Sequence, residues 1–105
     1  MGDRGNIVIK QEDGNQIYLY THWGGYSLPV VLQNALKRGK HRWDNEPYLA
    51  RIIFCEMVKG YEMDLTGFGI STYECDNEHP HLIVDCATQT VTIDGQSLSF
   101  ADYVG

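Results

Sequence analysis

The apolar pattern of this chain changes period between Thr21 and Leu28, and that change constrains the fold more than any other feature. Upstream, "NIVIKQ" and "QIYLYTH" alternate at period two, as half-buried strands do, and "EDGN" between them reads as a hairpin turn. Ile7 and Ile9 share one face, as do Ile17 and Leu19. Tyr18, Tyr20 and His22 line the other face of the second strand. Downstream, Leu28, Val31, Leu32, Ala35 and Leu36 recur at helical spacing. Ser27 is placed to cap that helix, Pro29 sits in its first turn, and Gly39 stops it. A second helix starts from a cap at Asp44 or Asn45 and ends at Gly60. Its stripe of Leu49, Ile52, Ile53 and Met57 is widened by Ala50, Phe54 and Val58, which predicts the more buried helix of the two.

Strand patterns then return. "GFGIST" reads as a strand, "HLIVDC" and "TVTID" as a hairpin across "ATQ", and "DGQ" as a turn. "SFADYV" reads as a short last helix capped by Ser99. The order ββααβββ with a short C-terminal helix predicts an α+β fold, two helices packed on one face of a mainly antiparallel sheet. With 105 residues the expectation is a single domain over residues 1–105. No apolar run approaches the roughly 20 residues of a membrane span, and "MGDRGNIVIK" lacks the apolar stretch of a signal peptide. Cys55, Cys75 and Cys86 read as reduced thiols. The expectation is a cytoplasmic protein with no membrane partner; the oligomeric state is left open.

Charge is divided unevenly. All eight Lys and Arg lie at or before Lys59, whereas residues 60–105 hold eight acids and no Lys or Arg, within a net charge of -6. Half of the bases fall in "KRGKHR". Phosphate binding needs a basic face, so direct nucleic-acid binding is disfavoured. An acidic half instead steers toward a basic partner surface, with Glu74, Asp76 and Glu78 as the candidate contacts.

Three places carry residues suited to chemistry. In "YTHWGGYSLP", His22, Trp23, Gly24 and Gly25 lead straight into a helix, whose free N–H groups attract anions. The glycines would allow close approach and Trp23 could stack on a flat ligand. The competing reading is a chain reversal in which Trp23 plugs the end of the core. In "KRGKHRWDNEP", Arg42 and Trp43 precede the second helix and would suit an anionic planar ligand such as a nucleotide. There the competing reading is that Lys37 and Arg38 complement the first helix's C-terminal dipole while Asp44 caps the second. The two entrances lie at opposite ends of a helical hairpin, about 16 Å apart for a helix of that length, so no small ligand spans both. In "CDNEHPHLIVDC", His79, His81 and Asp85 would share a face if extended, and such a set can hold a divalent metal. The spacing matches no standard metal motif. Cys75, His79 and Asp85, or Ser71 with a distant histidine, assemble a nucleophilic site only on paper, since no G-x-S-x-G elbow accompanies them. No cofactor is implied.

"MGDRGNIVIKQ", "IYLYTHWGG", "RWDNEPYLARIIFCEMV" and "TGFGISTYECDNEHPHLIVD" together resemble a family of small uncharacterised proteins of bacterial and phage genomes. The distinctive pieces are "YLYTHWGG" and "RWDNEPYLARIIF". The resemblance implies an intracellular stand-alone domain of the phage accessory type and carries no residue roles. Such proteins often inhibit or sequester host components. The leading expectation is therefore a small non-enzymatic interaction protein that binds or inhibits a basic surface of a host protein. The alternatives are a binder of an anionic, nucleotide-like small molecule and a small metal-dependent hydrolase with His22 as an acid/base.

Overall fold

Residues 2–105 are described by a computed structural model. The strands are β1 (Gly5–Lys10), β2 (Gln16–Thr21), β3 (Phe68–Ser71), β4 (Leu82–Asp85), β5 (Thr90–Ile93) and β6 (Gln96–Ser99). The helices are α1 (Leu28–Arg38), α2 (Glu46–Val58) and α3 (Phe100–Val104), with single 3-10 turns at Gly25–Ser27 and Lys40–Arg42. The fold is α+β. The six strands form one sheet in the order β3-β2-β1-β4-β5-β6.

That sheet is mixed, which corrects the expected mainly antiparallel arrangement. β1 and β4 pair in parallel at its centre, Ile7 opposite Leu82 and Ile9 opposite Val84, and antiparallel pairs flank them. The cause is a crossover. β3 runs in the same direction as β1, so the chain must return before β4 can begin beside β1. The returning segment passes the start of β1, where Asn6 Nδ2 donates to the Cys75 and Asp76 carbonyls at 3.4 and 3.2 Å. A second difference is β6, which follows the Asp94–Gly95 turn and pairs Leu98 with Val91. "QSLS" is exposed along its whole length and offers no apolar alternation to read.

One face of the sheet supplies Ile7, Ile9, Leu19, Leu82, Val84 and Val91 to the core. Leu28, Leu32, Ala35 and Leu36 of α1, Leu49 and Ile53 of α2 and Phe100 of α3 meet them. Each Val, Leu, Ile or Phe among them contributes about 1.5–3 kcal/mol when fully buried. The helix ends differ from one another. At α2, Asn45 Oδ1 accepts the Tyr48 N–H at 3.2 Å, the cap expected there. At α1, Ser27 is itself helical and its hydroxyl donates to the Gly24 carbonyl at 2.9 Å, so the expected side-chain cap does not form. Gly39 does stop α1, though at φ -93; glycine is suited because an added Cβ would lie 3.1 Å from the Ala35 carbonyl and 3.3 Å from Ile52 and Leu49. α3 is capped by Ser99, whose Oγ accepts the Asp102 N–H at 3.0 Å. The Tyr103 hydroxyl donates to the Pro29 carbonyl at 2.6 Å and fastens α3 to α1.

Candidate functional site

The turn between β2 and α1 is sealed from within the chain. Asp3 accepts the Gly25 N–H on its backbone carbonyl at 2.8 Å and the Tyr26 N–H on its carboxylate at 2.9 Å. Its second carboxylate oxygen accepts from His79 Nε2. The His79 bond, and then the Tyr26 N–H, hold the Asp3 carboxyl below the ordinary carboxylate range. Gly24 N–H goes to Thr21 Oγ1 at 3.2 Å and Ser27 N–H to the Gly24 carbonyl at 3.1 Å. The anion at this helix entrance is thus the chain's own Asp3. Gly25 is required for a close approach, because a Cβ there would stand 2.5 Å from the His79 ring. His22 is engaged through Nδ1 with the Tyr20 hydroxyl at 2.9 Å.

Trp23 does not plug the core. It is 52% exposed, and its ring lies over Gly67, whose φ of +97 and absent side chain make room for it. A Cβ at Gly67 would meet Trp23 Cζ3 at 2.2 Å. The edge of the His22 ring packs against the indole, 5.0 Å between centroids. Trp23 forms one wall of a cleft of about 330 Å³ between the start of α1, the end of α2 and β3. Tyr26, Tyr61 and Phe68 supply further aromatic walls, and buried Thr21 and Met57 lie deeper. Tyr61 and Phe68 are tilted neighbours at 6.1 Å. Asp64 is the only carboxylate in the lining, no Lys or Arg contributes to it, and Asp64 has no ion-pair partner among the described residues. Met63 and Leu65, on either side of Asp64 in the sequence, are 89% and 99% exposed. Ile70 is exposed too, although it shares the helix-side face of the sheet with its partner Leu19.

The other candidate entrance is closed. Trp43 turns inward, its Nε1 donates to the Leu36 carbonyl at 2.9 Å, and its ring meets Phe100 edge-on at 5.4 Å. The Arg42 guanidinium lies 5.0 Å from the Tyr48 ring centroid. Arg38 donates to the Ile52 carbonyl and to Glu56, both at 3.2 Å, so it ties α1 to α2 as well as ending α1.

The acidic segment is partly neutralised. Arg4 bridges Asp76 at 3.0 Å and Glu78 at 3.3 Å, and Glu78 also accepts the Arg4 N–H at 2.8 Å. Those Arg4 bonds hold the Glu78 carboxyl below its ordinary range. Glu74 is bonded to His81. His79, His81 and Asp85 do not form one set: β4 begins only at Leu82, His79 goes to Asp3, and Asp85 caps the next turn through the Ala87 and Thr88 N–H groups at 3.0 and 3.2 Å. Among the described residues no three His, Cys, Asp or Glu side chains gather as a metal would need. No helix is long and apolar enough to cross a membrane. Ser71 Oγ donates to the Tyr73 carbonyl and lies 3.6 Å from Cys75 Sγ, with no histidine among its bonded neighbours.

Tyr61, Asp64 and Phe68 were not among the residues the sequence singled out. The signal available was "YEMDLTGFG", a connection that places Tyr61, Met63 and Leu65 where neither helix nor strand can bury them. Compared with protein-family models, curated proteins and solved structures, the chain finds no match.

Proposed function

We propose that this chain is a small non-enzymatic interaction protein, acting in the cytoplasm, whose contact surface is the aromatic cleft and the exposed apolar residues of the connection that carries Asp64. One observation carries the reading: Trp23, Tyr26 and Tyr61 are more than half exposed in the lining of a single cleft whose one charge is a carboxylate, and Met63 and Leu65, the sequence neighbours of that Asp64, are exposed too. Interfaces are anchored by aromatic residues and Met, and contiguous exposed apolar surface marks partner sites. The acidic composition of residues 60–105 supports a partner with a basic surface, the kind of host protein a phage accessory protein would bind or inhibit. Glu74, Asp76 and Glu78 contribute long-range attraction, moderated by Arg4 and His81. A reading as a binder of anionic nucleotides has less support, since Asp3 occupies the first turn leading into α1 and Trp43 is committed to the core.

The test is affinity capture from a natural host with the wild-type chain and with Met63→Asp/Leu65→Asp. Both side chains are almost fully exposed, so the variant keeps its fold. A partner retained by wild type and lost by the variant is expected. Equal retention by both would overturn the reading.

A further inference from the structure

The cleft walls are aromatic and its one charge is negative, and that combination selects a cation. We infer that the cleft receives the guanidinium of an arginine side chain projecting from the partner's basic surface, an inference that rests on the interaction reading above. Aromatic faces attract a cation through their quadrupole, and arginine stacks on them as a flat plate. Trp23, Tyr26 and Tyr61 line the cleft, each being more than half exposed. Asp64, unpaired among the described residues, is the carboxylate that a guanidinium fork engages while it stacks. The last turn of α2, represented in the lining by Met57, adds the negative end of a helix dipole. Lys59 follows that turn and is not part of the lining. The volume of about 330 Å³ sits at the low end for ligand sites and suits one long side chain better than a nucleotide. Anions find nothing here, because no Lys, Arg or His lines the cleft.

The experiment is a two-dimensional amide NMR titration of the full chain with N-acetyl-arginine methylamide, compared with its neutral isostere N-acetyl-citrulline methylamide. The Trp23 indole and the Gly24, Ser27 and Asp64 amides are expected to shift saturably with the arginine probe. The citrulline probe binds at least about fivefold more weakly. Asp64→Asn weakens the arginine probe by roughly fivefold to tenfold. Tyr61→Leu gives a similar loss, and Tyr61→Phe, which keeps the π face, restores binding. Equal response to both probes, an unchanged affinity in Asp64→Asn, or shifts confined to Asp76 and Glu78 would each overturn the inference. If the probe fails while partner capture still depends on Met63 and Leu65, the arginine assignment falls and the interaction reading stands. If the probe binds while capture ignores Met63 and Leu65, the cleft takes a free guanidinium, and docking of a partner's arginine is overturned along with the interaction reading.

Discussion

The two tryptophans stand in similar local settings, each beside a histidine or arginine and a few residues before a helix, yet they have opposite fates. Trp43 reaches back under α1, satisfies its N–H on Leu36 and packs on Phe100. Trp23 lies over Gly67 and leaves half of its surface in solvent. The difference follows from what stands opposite each ring. α3 closes over Trp43 and supplies Phe100, whereas the residues facing Trp23 belong to the 60–67 connection and to β3, at the edge of the sheet. An aromatic residue at a helix entrance is therefore a core element or a contact residue according to whether another element is packed on top of it.

Substitutions at the two entrances test that contrast. The largest effect is expected at Trp43→Ala, about 3 kcal/mol of lost stability in urea unfolding, against about 1 kcal/mol or less for Trp23→Ala. Equal losses would remove the distinction. Next, Gly67→Ala combines a positive φ with a clash on the indole, so about 1–3 kcal/mol is lost and the Trp23 indole resonance moves. The helix entrances then separate by their caps. Asn45→Ala should cost about 1 kcal/mol, while Ser27→Ala, whose hydroxyl caps nothing, should stay within about 0.5 kcal/mol.

A smaller, pH-dependent effect concerns the seal at α1. The Asp3 and Glu78 carboxyls are depressed in the folded chain, so what they stabilise is present above the ordinary carboxylate range and is lost as pH falls through their folded values. Amide protection at Gly25 and Tyr26, taken relative to intrinsic exchange at the same pH, should therefore fall below about pH 4, with no matching change at Tyr48 on the α2 cap. Uniform loss of protection would mean global unfolding instead. The smallest effect is in thiol chemistry. Burial, and then Glu46, push the Cys86 thiol up to about 12, so at neutral pH alkylation should reach the half-buried Cys55 and Cys75 first.

What could be read from sequence was what is local. The period-two runs over β1 and β2 and the stripes of α1 and α2 announce their elements because each buries one face against a common core. Asn45 and Ser99 cap within three residues of the groups they satisfy. The parallel β1–β4 pair was not legible, since it depends on where the chain returns after β3, a choice made across 75 residues, as from Ile7 to Leu82. Asp3 as the partner of Tyr26 and His79, and Arg4 as the partner of Asp76 and Glu78, are long-range in the same way. The acidic run therefore reads as a uniform negative face in sequence while Arg4 tempers part of it in the fold. The cleft itself was half legible: Trp23 stood out beside its glycines, but Tyr61 and Asp64 acquire meaning only once α2 has brought them opposite it.

We propose that the cleft beside the start of α1 is a contact surface and that the closed α2 entrance is not. Site-specific photo-crosslinking separates the two, with benzoylphenylalanine placed in turn at Met63, next in sequence to the cleft-lining Asp64, and at Tyr48, an exposed aromatic beside the α2 entrance. In a natural host the probe at position 63 should trap the captured partner and the probe at position 48 should trap none of it. Equal trapping at both positions, or trapping at position 48 alone, would contradict the account.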